Sequence, residues 1–275
     1  KGNPLNFIRR GQGDSIEEPE IDVAIFRQNT EGLYGGVEWS NPPDLVYDGL
    51  ASHPKFAKNF GDVPREELSI STRIFTRKAT ERILRAAFQY AVEFGYTSVT
   101  VCEKPNVIRE TSGMMYKMAQ QIQSSDFPGI ELWNTNIDAQ MMWLTKNPED
   151  YGVIVAGNMF GDILSDEASM LTGSLGMFPS ASLGDGTGMY EPVHGSAPDI
   201  AGQGKANPIA TIASVAMMLH YSLDRKGEAL AIEKAISDAL EEGARTADIA
   251  TVGDAVLSTT EMGDLIVKKV KAILA

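Results

Sequence analysis

The sequence has little cysteine and histidine and too few basic residues to balance its acidic ones. Its 275 residues include 1 cysteine and 3 histidines, and 24 Lys and Arg against 37 Asp and Glu give a formal net charge of -13. Such an acidic surface cannot broadly displace counterions from a phosphate backbone, which excludes nucleic acid as a partner. The single thiol, Cys102, excludes an internal disulfide and a cysteine-based zinc site, and so favours a reducing compartment.

Long apolar runs are also missing. No segment reaches the roughly 18 apolar residues of a spanning helix, and the first residues lack a signal-peptide pattern. We therefore expect no membrane association and a location in the cytoplasm, or in the mitochondrial matrix of a eukaryote. With 43% hydrophobic and 22% charged residues, the chain suits one large domain or two ordinary ones.

The apolar pattern predicts an α/β fold, because β-type runs alternate with segments of helical periodicity. The clearest helix covers 76–94, with Gly95 as its C-cap. Four prolines between 40 and 70 predict an arm rather than packed helix. Asn207 and Pro208 are predicted as the N-cap and first residue of a later helix. The remaining predicted strands are 21–26, 99–102, 131–136 and 152–156, and the remaining predicted helices are 113–122, 138–145, 158 onward, 228–240 and 262–274.

Two carboxylates, Asp162 and Asp166, follow the apolar strand at 152–156. Their spacing places them on one helix face near its N-terminus. A solvated acidic first turn has the same spacing, but the apolar setting favours a half-buried pair. Two carboxylates about 4 Å apart repel by about 4 kcal/mol at an effective dielectric of about 20, so such a pair needs a cation. Mg²⁺ or Mn²⁺ would suit these oxygen ligands.

Basic and phenolic side chains lie at other strand ends. Lys104 follows a predicted strand, where it is either a surface lysine or a base presented to a cleft. A lysine acts as a base near neutral pH when its charged form is destabilised, and a nearby divalent cation would do this. Arg27 ends another strand and offers a fork for a carboxylate, and Asn29 and Tyr34 follow it.

A loop of small residues at 191–202 lets backbone approach a ligand closely, although it lacks the GxGxxG order of a dinucleotide fingerprint. His194 in this loop could either contact a ligand or have a purely structural role. Asp199 could accept hydrogen bonds from a ribose 2′-hydroxyl and would repel a 2′-phosphate. This charge favours NAD over NADP.

Four motifs together resemble the isocitrate and 3-isopropylmalate dehydrogenase family, with a match from about residue 20 to the C-terminus. The family resemblance implies metal-dependent oxidation of a 2-hydroxy-3-carboxy acid by NAD or NADP, followed by loss of CO₂ and protonation of the enol. The motifs are RQNTEGLY at 27–34, KPN at 104–106, GDILSD at 161–166 and the segment 191–207.

The resemblance assigns a role to each candidate residue. It implies that Asp162 and Asp166 bind the metal in one subunit and that Asp138 is a third ligand, donated by the partner of a homodimer. Lys104, donated by the partner like Asp138, would relay the proton of the substrate hydroxyl, and Tyr34 would protonate the enol carbon. Substrate-binding residues would be Arg27 and Asn29. Cofactor-binding residues would be Asn106, Glu191, His194, Gly195, Ala197, Asp199, Ile200 and Asn207. NADP-using relatives tend to have Lys-Tyr at the Asp199-Ile200 position, which again favours NAD.

The resemblance also implies two α/β domains with an active-site cleft between them. We expect residues 1–173 to form a small dimerisation domain, with an intersubunit arm at about 40–70, and residues 174–275 to form the C-terminal part of the large cofactor-binding domain. Family members begin with a strand–turn segment that this sequence lacks before Lys1, so we expect the N-terminal part of the large domain to be absent. Gln28 also departs from the family, which commonly has Glu there.

Two segments of the sequence favour different substrates. Residues 29–39 resemble isocitrate dehydrogenases, whereas 167–177 resemble 3-isopropylmalate dehydrogenases of leucine biosynthesis. Because the first segment lies at the expected active site, we favour conversion of isocitrate to 2-oxoglutarate, with 3-isopropylmalate as the alternative. Two other classes are a non-catalytic regulatory subunit and an inert fragment. Regulatory subunits tend to lose the metal aspartates or the lysine, and this sequence keeps them.

Overall fold

The protein alternates strands and helices along its length, as predicted. The computed structural model describes residue 5 and residues 18–275, so the predicted connecting segment at 1–20 lies almost entirely outside the described residues. In the described part, the strands are β1 (Ala24–Arg27), β2 (Glu38–Ser40), β3 (Ser69–Ser71), β4 (Ser98–Glu103), β5 (Glu131–Asn136), β6 (Val153–Ala156), β7 (Pro179–Ser182) and β8 (Met189–Pro192). The helices are α1 (Asp44–Ala51), α2 (Pro54–Phe60), α3 (Arg77–Phe94), α4 (Thr111–Asp126), α5 (Ile137–Lys146), α6 (Asn158–Leu171), α7 (Ile209–Tyr221), α8 (Lys226–Glu241) and α9 (Thr259–Leu274).

The chain divides into two compact units. The first, called here the sheet unit, comprises Val23–Met142 and Tyr151–Ile163. The second, called the helical unit, comprises Trp143–Asp150 and Leu164–Ala275 with the described part of Lys1–Asp22. The two-domain division predicted at residue 173 stays a prediction.

The sheet unit contains a four-stranded parallel sheet in the order β1-β6-β4-β5. Every residue of β4 and β6 is buried, as expected for parallel strands covered on both faces. The amphipathic helix α3 packs one face into the core through Leu84 and Phe88. It begins where the Thr76 hydroxyl accepts a hydrogen bond from the Ala79 amide, and it ends at Gly95 in the left-handed conformation, as predicted.

The segment between β2 and β3 differs from the predicted arm, because it contains the helices α1 and α2. These two strands form an antiparallel pair of their own. Neither helix has a buried residue, so both are short surface helices within the segment. The proline pattern indicated a segment outside the core, but His53-Pro54 begins α2 rather than excluding helix, because proline is tolerated in a first helical turn.

The helical unit is built around α7, α8 and α9. Their buried side chains include Ile209, Ala239, Met262 and Ile266, which form one apolar core. Helix α7 begins at Ile209, one position later than predicted, with Pro208 as its N-cap. Asn207 still serves the helix start, since its side-chain oxygen accepts from the Ile209 amide at 3.0 Å. Strands β7 and β8, an antiparallel pair, were not predicted.

No helix in the described part of the chain is both long and apolar enough to cross a membrane.

Candidate active site

The carboxyl ends of the four parallel strands carry most of the predicted site residues of the sheet unit. Parallel strands end at the same edge of a sheet, which is the usual ligand side of an α/β fold. Arg27 is the last residue of β1, and Lys104 follows β4 directly. Asp138 lies in the first turn of α5 after β5, and Asp162 lies on α6 after β6. The sequence-based prediction of these strand ends is therefore confirmed.

One cluster joins β1 to α6 around the Asp162 carboxylate. Arg27 donates through Nη1 to Asp162 Oδ1 and through Nε to Asn158 Oδ1, the latter at 2.9 Å. The Tyr34 hydroxyl donates to Asp162 Oδ2 at 2.6 Å, and the Arg27 guanidinium lies 5.5 Å from the Tyr34 ring centre. Gly161 permits this approach, because a Cβ there would lie 2.8 Å from Arg27 Cβ and Cγ.

The Asp162 carboxylate has a cationic partner within its own chain. Asp162 is about one third exposed and Arg27 balances its charge, so the predicted metal binding by Asp162 stays a prediction. Asp166 lies one turn further along α6 and is exposed. Among residue 5 and residues 18–275, no three His, Cys, Asp or Glu side chains are grouped closely enough to hold a metal. The two carboxylates suit Mg²⁺ or Mn²⁺ chemically, but one chain supplies only part of the usual oxygen ligand set.

A second cluster pairs Lys104 with Asp138. The Lys104 ammonium donates to Asp138 Oδ1, and the lysine side chain is 20% exposed against 68% for the aspartate. This hydrogen bond lowers the pKa of Asp138 below its ordinary value. The sequence placed both residues at the site but did not predict that they contact each other. Asn106 lies two positions after Lys104, exposed in the turn that follows β4.

The loop after β1 is organised by a buried glutamine. The Gln28 side-chain oxygen accepts from the amides of Thr30 and Glu31 at 3.2 and 3.0 Å, and its amide group donates to the Thr30 hydroxyl at 2.6 Å. Glu31 in turn accepts from the amide and hydroxyl of Thr76 at the start of α3. Gln28 therefore shapes the loop that carries the exposed Asn29 and Tyr34.

The predicted cofactor residues of the helical unit lie on β8, in the loop and short helix that follow it, and just before α7. Their exposure differs: the Asn207 side chain is 8% exposed and donates to Asp248 Oδ2 at 3.0 Å, so it is occupied within the protein. Ala197 adopts a left-handed conformation with φ 44°, which is costly for a residue with a Cβ. Glu191 lies on β8. His194 is half-buried, and its Nδ1 lies 2.8 Å from the Gly195 carbonyl oxygen. Asp199 and Ile200 lie in the 3-10 helix Pro198–Ile200.

Sequence reasoning missed a buried ion pair between Glu103 and Arg73. Glu103 is the last residue of β4 and is fully buried, and Arg73 donates to both its oxygens at 3.1 and 2.8 Å. A charged residue that ends an otherwise apolar strand is the signal that could have found Glu103, since buried carboxylates need partners. Nothing local in the sequence indicated which arginine would supply the positive charge.

The parallel sheet flanked by helices, with charged side chains at its carboxyl edge, defines an α/β protein of the kind that binds ligands at that edge in other folds. The chain belongs to the isocitrate/isopropylmalate dehydrogenase family, whose family model matches residues 4–266. A 3-isopropylmalate dehydrogenase of Chlorobaculum tepidum is 50% identical over 249 residues, covering 90% of this chain and 64% of that protein. One from Carboxydothermus hydrogenoformans is 42% identical over 271 residues, covering 97% of this chain and 67% of that protein. The chain thus spans about two thirds of the length of these relatives.

Among solved structures, the isocitrate dehydrogenase from Methylococcus capsulatus matches with a TM-score of 0.79 and 35% identity, over 92% of this chain and 68% of that one. The similarity confirms the predicted family fold. The two sequence relatives are named for 3-isopropylmalate, the alternative substrate predicted from the sequence, whereas the structural relative is named for isocitrate, the favoured one.

Proposed function

We propose that the protein is an NAD- and metal-dependent β-decarboxylating dehydrogenase acting on 3-isopropylmalate. The main support for this substrate is the 50% sequence identity to a relative named 3-isopropylmalate dehydrogenase. The structural match named isocitrate dehydrogenase is 35% identical. The substrate preference from residues 29–39 is therefore reversed. Isocitrate stays as the second candidate, favoured by that segment and by the structural relative.

Three side chains of the sheet unit support separate roles in substrate binding and proton transfer. The Arg27 guanidinium has the planar fork that binds a carboxylate, and it would exchange its bond to Asp162 for one to the substrate. The Tyr34 hydroxyl carries a proton at Oη, is 53% exposed, and is oriented by its bond to Asp162. The Lys104 ammonium, held by Asp138, can exchange a proton with a substrate hydroxyl.

The carboxylate oxygens fit a hard divalent cation, and Asp199 fits a dinucleotide without a 2′-phosphate on its adenosine ribose. Asp162 and Asp166, with Asp138 of a second copy, would hold the metal, which when bound would polarise the substrate oxygens. The loop residues from Glu191 to Ile200, together with Asn106 and Asn207, would hold NAD, which accepts the hydride. The exposed Asp199 carboxylate would repel an NADP phosphate. A homodimer with shared sites follows from this assignment of Asp138.

The purified full-length protein, including any residues that precede Lys1, should be assayed by NADH absorbance with 3-isopropylmalate or isocitrate, NAD and Mn²⁺. We expect NADH from 3-isopropylmalate, with kcat/KM at least about tenfold above that for isocitrate, as expected for a difference of about 1.4 kcal/mol in transition-state binding. A higher value for isocitrate would select the second candidate. No NADH with either substrate contradicts the proposal. Thermal shifts with NAD and Mn²⁺ provide a separate test of binding.

A further inference from the structure

The Glu103 carboxylate is buried between the two clusters of site residues. Besides Arg73, it accepts from the Ser112 hydroxyl at 2.6 Å and from the Gly157 amide at 2.8 Å. All of these donors come from different segments of the sheet unit. A buried carboxylate without them would be strongly destabilised, so the complete set of donors makes its burial possible.

The bond to Gly157 ties the end of β4 to the start of α6. A Cβ at position 157 would lie 2.5 Å from Glu103 Oε1 and 2.6 Å from Phe75 Cζ, so the carboxylate reaches the amide only because the residue is glycine. Helix α6 begins at the next residue, Asn158, and carries Asp162 one turn later. The position of Glu103 therefore sets where this helix starts relative to the sheet.

The Arg73 guanidinium extends the same network. It is 11% exposed, donates to the hydroxyls of Thr111 and Ser112 at 2.9 Å each, and lies 4.4 and 5.0 Å from the ring centres of Phe75 and Phe160. Phe160 belongs to α6. The arginine thus holds the start of α4 and the first turn of α6 against one carboxylate.

Lys104 is attached to this network through its backbone. It follows Glu103 directly, and its amide lies 3.4 Å from the Ser112 hydroxyl that also bonds the Glu103 carboxylate. The same few atoms therefore connect Lys104 with the helix that carries Asp162.

We propose that Glu103 and Arg73 are positioning residues: without touching substrate, the buried pair fixes the positions of Lys104 and of the start of α6, which carries Asp162, relative to the sheet. The kinetic part of this inference rests on the proposed function. A pair with a purely structural role would affect only stability. A positioning pair also sets the placement of Asp162 in its own chain's site and of Lys104 in the partner's site, where a displacement of about 1 Å can cost about 100-fold in rate.

The decisive variant is Glu103→Gln, which keeps the shape and the oxygen for Gly157 but removes the charge that faces Arg73. We expect kcat for the preferred substrate to fall at least about tenfold and the Kd for Mn²⁺, measured by electron paramagnetic resonance without substrate, to rise about tenfold, the size typical of residues that orient metal ligands. The pH of half-maximal kcat should also shift. The matched control is Glu81→Gln, which alters an exposed Arg85 pair on α3 and should change each quantity by less than about twofold.

A folded Glu103→Gln protein with wild-type kcat, pH profile and Mn²⁺ affinity overturns the inference. If this variant does not fold, Ser112→Ala replaces it, because Ser112 contacts both members of the pair; we expect changes in the same directions, and wild-type values again overturn the inference. If the wild type forms no NADH, the proposed function fails separately. The positioning role is then decided by crystal structures, in which Lys104 Nζ or the Asp162 carboxylate should move relative to the sheet by more than about 0.5 Å in the variant.

Discussion

At position 157 the structure has room for a hydrogen atom but not for a methyl group. We expect Gly157→Ala to lower the free energy of unfolding by about 1–3 kcal/mol, because the new Cβ would overlap the Glu103 carboxylate and the Phe75 ring. Urea denaturation measures this change.

Gly227→Ala on α8 is the matched control. A Cβ there meets nothing within 4 Å, so the substitution should raise the free energy of unfolding by about 0.5–1 kcal/mol through the higher helix propensity of alanine. Equal effects at the two positions would contradict the close packing described for Gly157.

The Cys102 thiol should be inert in the folded protein. It lies fully buried on β4, and burial raises its pKa to about 12, so almost no thiolate forms at pH 8. We expect no reaction with a thiol reagent such as dithionitrobenzoate under native conditions and one thiol titrated in guanidinium. Rapid modification of the native protein would show that β4 opens easily.

Site residues were predicted best from the sequence where they directly follow a predicted strand. Arg27, Lys104, Asp138 and Asp162 follow strands of clear apolar pattern, so topology alone brings them to one edge. Their partners were not predictable in the same way, because the Arg27 to Asp162 ion pair spans 135 positions of sequence. The same limitation hid Arg73, which lies 30 positions from Glu103.

Helix α9 begins with a capping box, in which the first residues of the helix and Ser258 bond each other reciprocally. The Ser258 hydroxyl accepts from the Glu261 amide at 3.3 Å, and Glu261 accepts from the amide and hydroxyl of Ser258 at 2.8 and 2.7 Å. Replacing Ser258 by Ala should lower the free energy of unfolding by about 1 kcal/mol.

This cap also predicts a pH dependence. The hydrogen bonds from Ser258 lower the pKa of Glu261 below its ordinary value of 4.5. A carboxyl group with a lowered folded-state pKa stabilises the protein above its unfolded pKa, and this stabilisation is lost as the pH falls through the folded pKa. The difference in unfolding free energy between wild type and Glu261→Gln should therefore be largest near neutral pH and shrink below about pH 4.5. A difference that stays constant down to pH 3 would contradict this role.

At the scale of elements, periodicity identified the longer helices and the buried strands. It placed α3 and α8 within two residues of their ends, since their apolar faces pack on cores. It missed α1 and α2, which have no buried face to generate a period. Strands β7 and β8 also escaped detection, because their residues are only partly buried and lie in a glycine-rich segment.

For the whole molecule, the assignment of Asp138 and Lys104 to a partner's site makes a complementation test possible. Asp162→Asn and Lys104→Met should each abolish metal-dependent turnover as homodimers. Mixed after unfolding and refolding together, they should recover up to roughly a quarter of wild-type activity, because each mixed dimer with two-fold symmetry contains one site free of both changes. Analytical ultracentrifugation checks that both variants still form dimers. No recovery in a confirmed mixed dimer would contradict shared sites.

The position of β1 at the end of the sheet order also has a consequence for synthesis of the chain. In the described sheet, β1 pairs with β6, although β4 and β5 are made first. At about 5–20 residues per second, a ribosome needs roughly ten seconds to pass from one to the other. Throughout that interval the nascent β1 has no native strand partner among the described strands, and its free edge is open to unwanted pairing with other chains. The step that completes the sheet is therefore the insertion of β6 between strands that have already emerged, and this late step also delivers Asp162 to Arg27.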